Sequence, residues 1–592
     1  MLSRLRMFTP PEFPVLSLEV QAHMPVVDAR EQSQFHLLVR HFLERFFNNE
    51  MVSADGEAKT RFLQVMYAIA LPGMVVALFL FPLYHAPLPR PFWSQVSDHY
   101  FYVLYSFVGV GAVSIFAWDL LFPDLIDVFV LTPLPVVNRR LFLARTAAAS
   151  LFLGLFLVGS NTLGSIFYPL LSETPGLARH LIAHLLAVLG SGAFAAALFL
   201  GVQGVMVTVV GERIFRTISP FLQGIAMTML LTILLLFPVS SQFLQVLTNL
   251  PAARYFPPFW FLGVYEVVLA GHESLPVFSG LAKTAYLAAC VVFALAIVSY
   301  PLAYRRRMRH LVEGSEVFDT RNLAVIPIHR ILHATLLRNS VQRGLYHFIS
   351  CSLLRTRRHR VYMAMYGGLG LALLIACTLL LKLGHGHIGL ALSPDGLRAA
   401  VPIAAFWTIA GLRTAFQSPM DKRSGWIFRV ILGKPASAHL AATVLWIMPL
   451  VLGLTLGMIA IINRVAPPDL LGWKSVTCQA LVAISLCLLL TDALFLKVRS
   501  IPFTGDAKAS TTNLAFILLQ YFGLFPPLVL LTVGLESWLK VSVWHVVATV
   551  GIMVAAHLAM REVHRKDSEY FVNLIDLDDE EEEFPQRLGL RY

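Results

Sequence analysis

The chain is organised by apolar blocks of about 20 residues, the length an α-helix needs to cross the hydrocarbon core of a bilayer. Twelve such blocks recur, at about 62–83, 98–118, 143–168, 182–210, 219–240, 284–304, 361–381, 398–412, 438–463, 475–496, 511–533 and 541–560. Each must be helical, because lipid offers no partner for the open edge of a strand. Only 14% of the 592 residues are charged, where a soluble domain carries about 25%. The fold class is therefore an all-α polytopic membrane protein with about 12 transmembrane helices. Pro72-Gly73 and Pro526-Pro527 fall inside spans and mark kinks. The longest stretches without a span are the first 60 or so residues and about 305–358, and neither has room for an ATPase fold.

Lysine and arginine set the threading. With both termini placed in the cytosol, 37 of the 46 basic residues fall on inner segments. The other 9, from Arg90 to Lys540, fall on or near outer ones. This is a strong positive-inside pattern, and it supports an even number of spans. The expected location is the cell membrane (the cytoplasmic or inner membrane), multi-pass. The net charge of +11 thus sorts by loop and faces membrane lipid, which argues against nucleic acid as a partner. Arg4 and Arg6 are followed by no apolar core, so no cleavable signal peptide is expected. Cys290, Cys351, Cys377, Cys478 and Cys487 show no metal spacing and are read as small buried hydrophobes.

The two halves share a layout, and the chain divides accordingly. Residues 1–61 form a cytosolic or interfacial N-terminal region, 62–310 a first six-span unit, and 311–360 a cytosolic linker with interfacial helices. A second six-span unit follows at 361–561, then an acidic C-terminal tail at 562–592. Each unit has an amphipathic lead-in, Phe35–Phe47 in the first, with Ile328–Arg338 and Phe348–Arg360 in the second. Helices lying in the membrane interface and helices packed in the cytosol both fit these segments. Each unit also has a basic loop between its second and third spans, and together these features suggest a duplicated six-span unit. The halves differ after the fifth span. The first has a long outer segment, about 241–283, containing Tyr255-Phe-Pro-Pro-Phe-Trp-Phe-Leu-Gly263, whereas the second turns tightly near Glu536-Ser-Trp538. The aromatic segment reads either as an interface belt or as a short re-entrant pair. In the second reading Phe256, Pro257, Pro258 and Trp260 form an outer gate.

Several chemistries are absent. There is no Gly-x-x-x-x-Gly-Lys-Ser/Thr phosphate loop, and Gly433-Lys434 is followed by proline. There is no His-Glu-x-x-His and no Gly-x-Ser-x-Gly. No catalytic residue, no metal site and no cofactor of the chain's own is expected. The ionisable residues within spans are His184, Asp492, His545 and His557, with Glu212 at a span end. Asp492 reads as one partner of an ion pair, and His557 as a residue reaching for the interface. No proton relay and no set of polar residues meeting inside the bundle is evident. Asp578–Glu583 reads as a solvated tail, or as a clasp onto basic loops or a partner.

The segment between the second and third spans is the most suggestive. It carries an apolar patch, a Pro-x-Pro break and two arginines: Leu131-Thr-Pro-Leu-Pro-Val-Val-Asn-Arg-Arg-Leu-Phe-Leu-Ala-Arg145. It resembles the loop after the second span of ABC-2 type exporter permeases, where a Leu/Pro-rich stretch and a Leu-Phe-x-Ala-Lys/Arg motif lead into the third span. Pro257-Pro-Phe-Trp-Phe-Leu-Gly263 and the helix ahead of the first span fit the same family. The resemblance covers the first half well and the second half by layout, since Lys434-Pro-Ala-Ser-Ala-His439 copies the loop poorly. It implies a permease whose paired six-span units line a path, with ATP bound on a separate ATP-binding cassette ATPase subunit. On that basis Leu134, Pro135, Val136, Arg139 and Arg140 form a first coupling surface for the ATPase, and Trp426, Phe428 and Arg429 a second. A second copy of the chain is a further candidate partner. A secondary carrier, or a membrane-embedded enzyme or assembly factor, are the competing functions.

Overall fold

Twelve helices of the computed structural model are long and apolar enough to cross a membrane, in the order the apolar blocks require. The structure describes residues 34–47, 58–118, 122–123, 129–131, 133, 136–171, 176–312, 339–384, 387–418, 437–465, 473–495, 502–503 and 514–578. The first half contains α1 (Gln34–Phe47), α2 (Ala58–Tyr84), α3 (Phe92–Phe116), α4 (Asn138–Phe167), α5 (Leu177–Val209) and α6 (Glu212–Leu235). Two short helices follow, α7 (Phe237–Gln242) and α8 (Leu244–Asn249), then α9 (Pro257–Ala270) and α10 (Pro276–Val312). The second half contains α11 (Ser340–Arg355), α12 (Arg357–Thr378), α13 (Pro394–Gln417), α14 (Ser437–Val465), α15 (Trp473–Phe495), α16 (Leu514–Leu539) and α17 (Val543–Asp578). The spans are α2–α6, α10 and α12–α17.

Large apolar side chains such as Phe79, Phe221, Tyr286, Ile297 and Leu530 point outward from these helices. Their number is untenable in water and natural in lipid. Inside, the buried apolar residues fall into two large clusters, one from Leu38 to Ala303 and one from Ile349 to Leu539. The most buried span is α3 in the first group and α13 in the second. The groups meet where α6 crosses α12. The crossing is tight because it is built on small residues: a Cβ added to Gly368 would stand 3.2 Å from Thr228 Oγ1 and 3.4 Å from the Gly224 carbonyl oxygen. Small residues let backbones approach in a medium that gives helices no hydrophobic drive to associate.

Several elements depart from the sequence expectation. The seventh span does not run to 381. It stops at Thr378, and an antiparallel hairpin follows, β1 (Leu379–Gly384) paired with β2 (His387–Leu392), Leu379 opposite Leu392. Gly384 and Gly386 interrupt the apolar run, and Ser393 N–H donates to the Thr378 carbonyl at 2.9 Å to close its base. The sixth span is the middle of a 37-residue helix, α10. At 1.5 Å per residue this is about 55 Å, well beyond a ~30 Å hydrocarbon core. The last helix continues past its span to Asp578, so 562–578 are helical. The remainder of the acidic run lies outside the described residues, as do both ends of the chain and the linker at 313–338. Of the five cysteines, Cys478 and Cys487 are buried as expected, but Cys290, Cys351 and Cys377 are exposed. An apolar run does not say which side of a helix faces its neighbours.

Candidate functional site

Two constellations lie at opposite ends of the first helix group. One end carries Arg139, Arg140, Arg145 and Arg305–Arg307 and is called the basic end. The other, charge-poor end is formed by the C-termini of α2 and α4, the N-termini of α3 and α5, and α9.

At the basic end the connector between α3 and α4 is clamped on both sides. Trp118 and Phe122, just after α3, are buried. Gln203 of α5 donates to the Trp118 carbonyl at 2.5 Å. Arg145 of α4 donates to the Phe122 carbonyl, and its guanidinium lies 5.2 Å from the Phe42 ring centre of α1. Arg307 of α10 covers the Phe122 ring at 5.6 Å. On the far side of the connector, Val136 is half-buried, while Arg139 and Arg140 are exposed in the first turn of α4. Cations there oppose the helix dipole, so helix stability does not account for them. Arg140 donates to Gln34 Oε1 of α1 at 3.2 Å. Helix α1 packs on α4 through Leu38, Phe42 and Phe46, the last 5.6 Å from Phe152. Leu134 and Pro135 lie outside the described residues, as do Trp426, Phe428 and Arg429 of the second candidate coupling surface.

The four residues read as a gate come together at the start of α9. Pro257 and Pro258 occupy its first turn, where the missing N–H costs nothing. Phe256 caps it and packs edge-on to Phe259 at 4.8 Å. Trp260 donates to the Arg254 carbonyl at 2.9 Å and meets Phe194 of α5 edge-on at 5.8 Å. Helix α9 is not a surface belt: Pro258, Phe259, Phe261, Leu262, Tyr265 and Glu266 are all buried.

Further along α9 lies the constellation that the sequence reading missed, a set of polar residues meeting inside the bundle. His99 Nδ1 of α3 and Glu266 Oε1 of α9 are 2.6 Å apart, and both side chains are under 5% exposed. The His99 ring stacks on Tyr265 at 4.1 Å. The Tyr265 hydroxyl lies 2.8 Å from His180 Nε2 and 3.2 Å from His184 Nδ1, both on α5. Beside them Asp98 takes both arms of Arg90, at 2.6 and 2.7 Å, and the Tyr84 hydroxyl at 3.0 Å. Tyr84 in turn meets the Tyr168 hydroxyl at 2.9 Å. Burial alone would lower the affinity of Arg90 for its proton, but the hydrogen bonds and charge of Asp98 outweigh this and push it up. Tyr102 donates to the Gly73 carbonyl at 3.0 Å. That contact depends on glycine, since a Cβ on Gly164 would stand 3.0 Å from the Tyr102 ring.

Local sequence explains the convergence only in part. His180 and His184, like Asp98 and Tyr102, are four apart and share a helix face. Nothing local tells α3, α5 and α9 to turn these faces toward each other. His184, singled out as ionisable within a span, thus sits in a polar network. The same holds for Asp492, which pairs across helices with His557. His545 stacks on Trp538 at 4.2 Å, and the Glu212 side chain lies outside the described residues. Among the described residues, no group of three or more His, Cys, Asp or Glu side chains is arranged to hold a metal ion.

The second half has a related arrangement. Glu536, buried near the C-terminus of α16, accepts from Ser475 at 3.0 Å, Gln479 at 3.5 Å and Lys540 at 2.6 Å. Ser475 and Gln479 are four apart at the start of α15, as His180 and His184 are at the start of α5.

Comparison of the chain with protein-family models, with curated proteins and with solved structures finds no match.

Proposed function

We propose that the chain is the membrane-spanning permease of an ABC-2 type ATP-binding cassette exporter, built from two fused six-span units and driven by a separate ATPase subunit. The observation that carries this reading is the clamped connector. A segment that only turned the chain would not need Gln203, Arg145 and Arg307 to fix its start, or α1 to brace its end. A segment that receives force from a docked partner does need a rigid base. Leu134, Pro135 and Val136 then supply its apolar contact, and Arg139 and Arg140 meet carboxylates of the ATPase or lipid phosphate. The lysine and arginine distribution makes the basic end cytosolic, with both termini on that side. Phe256, Pro257, Pro258 and Trp260, at the opposite end, close the outer gate.

Duplication is supported by the two buried clusters, by a most-buried second span in each, and by the repeated outer motif. In that motif a pair of polar residues on the fourth span faces a buried glutamate at or after the fifth. Partner contact is tested by replacing Leu134 and Arg140 together with aspartate. The pure wild-type chain is expected to turn over no ATP and to co-purify with an ATPase from its native membrane. The double variant is expected to insert normally and lose that ATPase. ATP turnover by the pure chain, or wild-type ATPase capture by the double variant, refutes the reading.

One observation favours a second reading. Buried ionisable residues inside a span bundle mark ion pathways, and the set around His99 and Glu266 is of that kind. A secondary carrier, or a membrane-embedded enzyme, would use it without ATP. Transport or turnover that persists when ATP is absent separates this reading from the first.

A further inference from the structure

We propose that His180, Tyr265 and His184 form a proton relay within the charge-poor half of the first helix group. The relay goes beyond the permease reading and does not rest on it.

The argument is a count of hydrogens. The Tyr265 hydroxyl lies within hydrogen-bond distance of one nitrogen of each ring, His180 Nε2 at 2.8 Å and His184 Nδ1 at 3.2 Å. A phenol has one hydrogen to donate, and a neutral imidazole has one N–H and one lone pair. The Tyr265 hydrogen can therefore serve only one ring, and the other ring must donate to the phenol oxygen. With one proton on each ring, two arrangements satisfy both contacts. In one, His180 Nε2–H donates to Tyr265 and Tyr265 donates to His184 Nδ1, leaving a lone pair on His180 Nδ1 and a hydrogen on His184 Nε2. In the other, every donor and acceptor is exchanged. Either way, one end of the chain is ready to take a proton and the other to release one.

Those two ends, His180 Nδ1 and His184 Nε2, are buried and have no hydrogen-bond partner. His180 is 2% exposed and His184 is fully buried. Buried polar atoms without partners are uncommon and call for a reason. A histidine kept only for packing would be expected to satisfy both nitrogens. Here both rings satisfy the inner nitrogen through the same hydroxyl and leave the outer one open.

The transfer balances without a co-reactant. A proton binds His180 Nδ1, the Nε2 proton passes to the Tyr265 oxygen, the phenolic proton passes to His184 Nδ1, and the His184 Nε2 proton leaves. One proton enters, one leaves, and each ring has changed tautomer. His184 lies four residues along α5 from His180, about 6 Å deeper from the charge-poor end. Beyond it, the buried Ser106 hydroxyl of α3 is also without a partner. It stands 2.6 Å from where a Cβ on Gly192 would be, so α5 presents a bare backbone to it.

The charged and titratable groups packed around the relay come from every neighbouring element. They are His99 with Glu266 from α3 and α9, Asp98 with Arg90, Tyr84 from α2, Tyr102 from α3 and Tyr168 after α4. Helix α10 packs on α9 through Phe278 and Leu281. The two carboxylates each hold a basic partner, which leaves the histidine–tyrosine chain free to pass a proton without ion pairing.

The test is nitrogen NMR on the full chain in lipid nanodiscs with 15N-labelled histidine. The two rings are assigned by the signals lost in His180→Asn and His184→Asn. In the wild type both rings are expected to populate both N–H tautomers in exchange. Tyr265→Phe removes the bridging oxygen and is expected to lock each ring in one tautomer. Fixed tautomers in the wild type overturn the proposal, as does exchange that continues unchanged in Tyr265→Phe. Should that variant fail to fold, 3-fluorotyrosine incorporated throughout makes the phenol more acidic while keeping the hydroxyl. The exchange rate is then expected to change, and an unchanged rate overturns the relay.

Discussion

The buried His99–Glu266 pair gives the sharpest energetic prediction. Both side chains are under 5% exposed, so Glu266 depends on His99 for compensation of its charge. Replacing His99 with phenylalanine keeps a ring to stack on Tyr265, where the centroids are now 4.1 Å apart, and removes the nitrogen that faces the carboxylate. A carboxylate stripped of its partner inside a protein costs about 3–5 kcal/mol. Replacing both members by apolar residues of similar volume is often close to neutral, because neither desolvation cost is then incurred. The double variant His99→Phe with Glu266→Met is therefore expected to be more stable than His99→Phe alone, by about 2 kcal/mol or more. The assay is reversible unfolding in mixed micelles followed by tryptophan fluorescence, run as a double-mutant cycle. If His99→Phe lies within about 1 kcal/mol of the wild type, Glu266 is not a buried partner-dependent charge and the reasoning fails. The same result follows if the two substitutions simply add.

Two further outcomes are expected. Gly368→Leu places a bulky side chain where even a Cβ would be 3.2 Å from Thr228 Oγ1. It should cost about 1–3 kcal/mol by overpacking and weaken association of separately expressed halves, measured by co-purification. A cysteine at position 320 in an otherwise cysteine-free chain should resist an impermeant thiol reagent in sealed right-side-out vesicles. Labelling there would place the basic end outside the cell and reverse the orientation.

Much of the architecture was already fixed by composition and block length. Runs of about 20 apolar residues can do little in lipid except form helices, so the number and order of spans follow from them. Proline at 257 and 258 likewise announces a helix start, and α9 begins there. The hairpin at 379–392 was not legible, because a six-residue apolar strand and the last turns of a span have the same composition. The burial of α9 was also open, since its aromatic residues suit an interface belt as well as a packed helix.

The polar constellation was decided only by the tertiary structure. Asp98 and His99 stand at the edge of an apolar block, His180 and His184 at the edge of another, and Glu266 in a segment too short to span. Each is unremarked in isolation, since polar residues near span ends usually meet water. Their chemistry appears when α3, α5 and α9 bring them within hydrogen-bond reach, across sequence separations as large as the 167 residues between His99 and Glu266. Helix periodicity fixes which residues share a face, but it carries no information on the face opposite. That choice belongs to packing, through contacts such as the Gly73–Gly164 approach that admits the Tyr102 ring, and no single segment of the sequence holds it.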